Sequence, residues 1–199
     1  MSESQRKFSP QEGYEANGYS TCWDTHEGAG FMDLITLKTP LNLTLFSTRI
    51  AIQDDFRRII DLSESVGVFT DHELESLLVD LNTCDEVAGD RIFVSESVES
   101  QVTGFIQLSP APITRGSWYV YWIAVHNEAQ GQGIGSNLLI SAERAIKAEG
   151  GRQIIIETSA SPLFASARTL YLKAGYELVA KVPDYYSEGD DKCIYLKRL

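Results

Sequence analysis

Eight consecutive residues, Trp118–Val125 (WYVYWIAV), carry no charge and are aromatic, β-branched or small. So continuous a run cannot alternate a wet face with a dry one, so it predicts a central strand buried on both sides. Five residues beyond it begins a loop holding Gly131, Gly133 and Gly135. Directly on that loop follows a segment whose apolar residues Ile134, Leu138, Leu139, Ala142 and Ile146 recur at helical spacing, with Gly150-Gly151 as the stop. A buried strand, a glycine loop and an amphipathic helix in that order commit the middle of the chain to an α/β fold.

The flanking segments complete that architecture. Ser47–Ile52 reads as a strand, and Asp54 is placed to cap a helix with Phe56, Ile59, Ile60 and Leu62 on its apolar face. Thr70 and Glu73 have capping-box spacing and open a second helix, continued by Leu74, Leu77, Leu78 and Leu81. Arg91–Glu96 and Val102–Leu108 read as a hairpin. The glycine-loop helix, Ile134–Glu149, is followed by a strand, Gln153–Thr158, and a helix, Pro162–Lys173, stopped at Gly175. Two strands close the chain, Tyr176–Val182 and Lys192–Lys197, joined by a polar loop. The expected order is β-α-α-β-β-β-α-β-α-β-β. Residues 1–20 are polar and without period, so they are expected to be disordered or loosely draped. The short apolar pieces of residues 21–44 leave an added strand and a helical turn both open. The chain is thus read as an extension, 1–46, partly disordered, and a domain over 47–199.

Composition narrows the function classes. A net charge of −11 argues against a nucleic-acid partner and is compatible with a cationic substrate. No run approaches the ~18 apolar residues of a membrane span, so no membrane partner is expected. The basic pair near the N-terminus has no apolar stretch behind it, so no secretory signal is read there. Cys22, Cys84 and Cys193 lack the spacing of a disulfide framework or zinc site, and His26, His72 and His126 lack ligand spacing. Reduced thiols, a cytoplasmic location and no metal follow as expectations.

The glycine loop carries the functional signal. Glycine permits dihedrals that turn consecutive N–H groups toward one point, and a helix start adds free donors and partial positive charge, which suits a diphosphate. Two rival phosphate motifs fit poorly. A P-loop needs Lys and then Ser or Thr after its last glycine, where this chain has Ser136-Asn137. A dinucleotide fingerprint needs its glycines tight against the strand, where His126–Gln130 intervene, and a third glycine where Ser136 stands.

Gln130-Gly131-Gln132-Gly133-Ile134-Gly135 resembles the (Gln/Arg)-x-x-Gly-x-(Gly/Ala) signature of the GNAT acetyltransferase superfamily. Trp122-Ile123-Ala124-Val125 precedes the loop as in that family, and residues 167–176 (ARTLYLKAGY) are similar to its A-x-x-L-Y-x-x-x-G-[FY] segment. The likeness covers residue 47 to the C-terminus. It implies a GNAT-like mixed, mostly antiparallel sheet of about seven strands with about four helices. It also implies acetyl-CoA, its diphosphate held by backbone amides of Gln132–Ser136 within the loop Gln130–Ser136. Main-chain groups around Ile123, Ala124 and Val125 would pair with the pantetheine arm, in a gap between the strands of Val125 and Glu157.

Acetyl transfer needs a neutral amine, donors for the oxyanion, and a proton for the departing thiolate. Glu157 interrupts the apolar strand residues Ile154-Ile155-Ile156, where a carboxylate is costly unless paired or functional; a Glu at the strand's exposed tip is the alternative. The ribosomal-protein N-terminal acetyltransferases, a GNAT branch, place their base at the corresponding point, although the span from Glu157 to Tyr171 is about two residues longer here. By the same resemblance Tyr171 protonates the thiolate, a role suited to a phenol that stays neutral at pH 7. The segment Pro183–Asp191 is read either as a solvated hairpin or as a substrate lip using Asp184, Tyr185 and Tyr186. Trp122 is a candidate lining residue, and Arg168 could reach a phosphate. The acceptor is expected to be a small-molecule amine, with a protein N-terminus as alternative and a non-catalytic acyl-CoA-binding module as the reading from another class. The oligomeric state stays open, a homodimer included.

Overall fold

The computed structural model describes residues 46–83 and 89–199. The extension predicted before the domain, and with it the strand or helical turn of residues 21–44, lies outside the described residues. From Phe46 onward the chain follows the expected order: β1 (Phe46–Ile50), α1 (Gln53–Val66), α2 (Asp71–Thr83), β2 (Arg91–Ser97), β3 (Val102–Pro110), β4 (Ser117–Val125), α3 (Ile134–Ala148), β5 (Gln153–Ser159), α4 (Ala165–Lys173), β6 (Glu177–Ser187) and β7 (Asp190–Arg198). The seven strands form one sheet in the order β1-β2-β3-β4-β5-β7-β6. Every neighbouring pair is antiparallel except β4 and β5.

Period-two alternation divides the apolar residues between two cores. Ile92, Val94 and Phe105 pack with Ile59 and Leu62 of α1 and Leu77 and Leu81 of α2. Phe93, Ile106 and Leu108 point to the other face, where they meet Leu138, Leu139, Ala142 and Ile146 of α3 and Tyr171 of α4. The uninterrupted run of β4 has a different origin from burial on both sides. Gln107 pairs with Trp122 and Leu108 with Val120, which leaves Tyr121 as a one-residue bulge. Before the bulge Trp118 and Val120 face α3; after it Ile123 and Val125 face α3, while Trp122 and Ala124 face α1 and α2. The expectation of full burial is therefore corrected: Tyr121 is exposed, and Trp122, Ile123 and Val125 are only partly buried.

A charge cluster fixes the corner between β1 and α1. Arg49 donates to Asp55 at 2.6 and 3.0 Å and to Glu96 of β2 at 3.0 and 3.2 Å. Asp55, rather than the expected Asp54, caps α1, because a carboxylate at the third helical position can fold back onto the Ile52 N–H, here at 2.9 Å. The hydrogen bonds from Arg49 hold the Asp55 carboxyl below its usual range despite burial. At the second helix the expected capping box is present, with Glu73 accepting the Thr70 N–H at 2.8 Å.

Asp55 is 1% exposed, so Asp55→Ala removes the buried partner of Arg49, leaving it Glu96 alone, together with the acceptor of the Ile52 N–H, and should cost about 3 kcal/mol in urea unfolding at pH 7. A carboxyl whose folded pKa is depressed stabilises above its unfolded pKa, about 3.9, and loses that contribution as pH falls through the folded value. The gap between wild type and variant should therefore be full at pH 6 and close below about pH 4.

Candidate active site

Parallel pairing of β4 with β5 runs from Ser117↔Gln153 to Val120↔Ile156 and stops there. Both strands continue. β4 stays on β3 as far as Gly104↔Val125, and β5 stays on β7 as far as Ser159↔Lys192. The sheet is thus split in its middle, between Tyr121–Val125 on one side and Glu157–Ser159 on the other. The Tyr121 bulge lies where the split opens, because the extra residue turns β4 away from its parallel neighbour.

On the β4 side the chain passes through a short 3₁₀ turn, Asn127–Ala129, into the loop and α3. Gln130 steadies the approach by donating its side-chain amide to the Val125 carbonyl at 3.1 Å, and Gln132 does the same to the Glu128 carbonyl at 3.3 Å. Gly131 and Gly133 have φ of +77° and +85°, with open space where a side chain would stand. The first bond into the helix runs from the Asn137 N–H to the Gly133 carbonyl at 3.0 Å. The N–H groups of Ile134, Gly135 and Ser136 therefore remain as donors at the helix start, with no protein acceptor among the described residues. Gly135 serves close packing: a methyl group there would come within 2.9 Å of the Leu170 Cδ2 of α4 and 3.8 Å of the Val125 Cγ2.

That packing sets Leu170 of α4 beside Val125 of β4, and Tyr171 follows it in the chain. Tyr171 is 4% exposed, with its ring 5.6 Å from Tyr195 and 6.4 Å from Tyr176. Burial, with Tyr195 adding, pushes its phenol well above the usual tyrosine range, so it is protonated throughout the neutral region. Arg168, one turn earlier, donates to the Ser159 and Ser161 carbonyls at 2.7 and 2.8 Å. It braces the end of β5 instead of reaching outward.

The opposite side of the split is built from β5 and the β6–β7 hairpin. Glu157 accepts from the Lys192 ammonium at 2.6 Å, and that ammonium lies 3.6 Å from the centre of the Tyr185 ring. The polar loop expected between the last strands is mostly strand, because β6 runs to Ser187 and turns at Gly189. Its register jumps from Val182↔Lys192 to Ser187↔Asp190, which pushes residues 183–186 outward. Asp184 sits at φ +51°, accepting the Gly189 N–H at 2.7 Å and donating its own N–H to Asp191 at 3.2 Å. Its carboxylate is thereby committed to shaping the tip. Tyr185 and Tyr186 stand half-exposed with rings 5.0 Å apart. The Tyr186 hydroxyl is pushed up by partial burial first; Lys192 opposes, and Glu157 adds to the rise. Trp122 donates its indole N–H to Asp80 at 2.9 Å and meets Phe69 edge-on, so it anchors β4 to α2.

Residues 88–178 match a family model described as the acetyltransferase (GNAT) domain. A Desulfovibrio desulfuricans crystal structure assigned to the GNAT family of acetyltransferases superposes with a TM-score of 0.72 at 27% identity, over 77% of this chain and 98% of that one. The fold is that of the GNAT acetyltransferases, and residues 88–178 match that family's domain. An uncharacterised N-acetyltransferase of Methanocaldococcus jannaschii is 28% identical over 107 residues, 53% of this chain and 65% of that protein, so the match spans just under two thirds of that relative. A Salmonella typhimurium structure holding acetyl-CoA superposes with a TM-score of 0.65 over 78% of this chain and 94% of that one; at 18% identity it speaks for the fold alone.

Within this fold two residues gave little sign of themselves in the sequence. Lys192 gave no signal, since its partner is 35 positions away. Gln107, 2% exposed opposite Trp122, has a side-chain oxygen without a partner among the described residues. A lone amide in the apolar run Val102–Leu108 was the one mark that could have found it. The tip geometry is testable: Asp184→Ala removes the acceptor of the Gly189 N–H and keeps an L residue at positive φ. Amide exchange at Gly189 should speed up by about fivefold, the equivalent of ~1 kcal/mol, with the melting temperature nearly unchanged.

Proposed function

We propose that residues 47–199 form an acetyl-CoA-dependent N-acetyltransferase domain that moves the acetyl group to a primary amine by direct attack. The observation that carries this reading is the split between β4 and β5, flanked on one side by a helix start with free donors and on the other by a carboxylate. The donor set fits the cofactor. A diphosphate needs clustered N–H groups and room for its oxygens, and both exist at Gly131–Ser136. Bound acetyl-CoA supplies the thioester carbon that the amine attacks.

This chain's residues then have separate tasks. Ile134, Gly135 and Ser136 hold the anionic end with their N–H groups. The free edge of β4 from Ile123 to Val125 offers main-chain groups to the extended arm. Glu157 takes the proton that a cationic amine must lose before it can attack, directly or through water. Tyr171 gives its hydroxyl proton to the departing sulfur, a role its burial supports because the phenol stays neutral.

The acceptor in this reading is a small-molecule amine. The ion pair and ring contact of Lys192 draw the hairpin in beside the split, which suits a compact acceptor better than an extended peptide. Among fold neighbours, an aminoglycoside 6′-N-acetyltransferase and a spermidine N-acetyltransferase act on small amines, while an Escherichia coli enzyme acts on the alanine of ribosomal protein S18. The cytoplasmic location expected from the sequence belongs to this reading; no described helix is long and apolar enough to cross a membrane.

Two measurements test it. Tyr171→Phe should lower kcat by about 100-fold and leave CoA affinity within about twofold, as loss of a general acid requires. Unchanged turnover would remove Tyr171 from the chemistry, and CoA binding without amine-dependent CoA release would favour the non-catalytic module. Gly133→Ala should weaken CoA binding at least about tenfold, because forcing a side chain into the left-handed region costs ~1–2 kcal/mol and moves the donors. Gly67→Ala, at φ +70° beyond the end of α1, should cost similar stability with CoA affinity intact.

A further inference from the structure

Lys192 is a charged group that the transfer chemistry above leaves without a task. Its side chain is 12% exposed, on a hairpin whose tip is open to water. Withdrawing an ammonium from water costs several kcal/mol unless it is paired with good geometry. Carboxylates closer in sequence stand on the same hairpin, yet they are used otherwise: Asp190 accepts the Ser159 hydroxyl at 2.6 and 2.8 Å, and Asp191 lies 3.8 Å from Lys181. Lys192 instead reaches across to β5, with the face of Tyr185 against its ammonium. Cation–π contact and a charge-assisted hydrogen bond both favour the charged form. Accordingly, although burial pulls the Lys192 pKa down, the bonds to Glu157 and Tyr185 outweigh it and the net shift is upward.

We propose that Lys192 is a positioning residue for acetyl transfer: it holds one oxygen of Glu157 and the Tyr185 ring in fixed places beside the split. The proposal rests on the transferase reading. Glu157 is 32% exposed, with Oε2 engaged by Lys192 and Oε1 bonded to no described residue. A carboxylate held by one oxygen presents the other in a single direction. A free glutamate on a strand end would sample several rotamers, and misplacement of a proton acceptor by about 1 Å can cost about 100-fold in rate. The same ammonium fixes the ring of Tyr185, so the hairpin wall and the proton acceptor keep a constant separation.

The test is steady-state kinetics of the full chain with the best amine from a screen. It compares Lys192→Met, Lys192→Arg, Glu157→Gln and the Glu157→Gln/Lys192→Met double variant, with CoA affinity and melting temperature measured for each. Lys192→Met should lower kcat by about 10- to 100-fold with CoA affinity within about twofold. Lys192→Arg, which can also pair with a carboxylate and stack on a ring, should recover most of that loss. The double variant should be no slower than Glu157→Gln, since a positioning group has nothing left to position. A melting-temperature loss in Lys192→Met with wild-type kcat would make Lys192 a structural tie and overturn the proposal. Additive losses in the double variant would also overturn it. Absence of amine-dependent CoA release by the wild type sinks the transferase reading and this role together, whereas release by wild type and Lys192→Met at equal rates sinks this role alone.

Discussion

The point at which β4 and β5 stop pairing determines the rest of the site. Opening a sheet in its middle exposes a strand edge on each side, and unpaired backbone groups cost about 1–3 kcal/mol each where water cannot replace the partner. The chain holds the opening by two means. The bulge at Tyr121 redirects β4, and β3 and β7 grip the outer edges of the two strands, so neither can shift back to close the split. The space that results has main-chain donors and acceptors on its walls, a suitable lining for an extended polar arm.

The two flanks of the split differ in sign, and the difference arises from local structure. Toward α3 the field comes from a helix start and its free N–H groups, with no lysine or arginine in residues 126–138. Toward the hairpin lie Glu157, Asp184, Glu188, Asp190 and Asp191, against Lys181 and Lys192. An overall charge of −11 would repel an anionic cofactor from most of the surface. A backbone site avoids that conflict, because it binds an anion without needing a basic surface around it. In the proposed reaction the acidic flank attracts the cationic amine.

The order of all eleven main elements was legible in the sequence because most have a period, an unbroken apolar run or a chemical stop, such as Thr70 with Glu73 or Gly175 after α4. What escaped depends on contacts that periodicity does not encode. Asp54 and Asp55 are adjacent carboxylates of equal propensity, and the helix start at Gln53 together with Arg49 across the corner selects Asp55. The run WYVYWIAV is apolar on both faces in either register, so inserting Tyr121 leaves its composition unchanged and the bulge invisible. The outward step of residues 183–186 looked like a loop because Pro183, Asp184 and Gly189 are turn residues, although the flanking β6 and β7 continue past them. Of the proposed site, the glycine loop and Tyr171 stand in a linear motif, whereas the Lys192–Glu157 pair joins two strands that are not consecutive in the chain.

Departures from local preference are informative when nothing nearby compensates them. Asp55 is a buried charge, but Arg49 and the Ile52 N–H account for it. Ser100 and Ile113 occupy the left-handed region, yet both lie in exposed connections between strands, where the strain has no further consequence. Tyr171 differs: it is a phenol at a core position that phenylalanine would fill as well. Glu157 follows three isoleucines on β5 and takes its partner, Lys192, from another strand, and Asp184 is a strained residue at the tip of a hairpin that carries two half-exposed tyrosines. All three stand on α4, β5 and the β6–β7 hairpin, the elements that adjoin the split beyond Ile156. In the proposed transfer to an amine, Tyr171 and Glu157 serve as proton donor and proton acceptor, and Asp184 shapes the wall beside them.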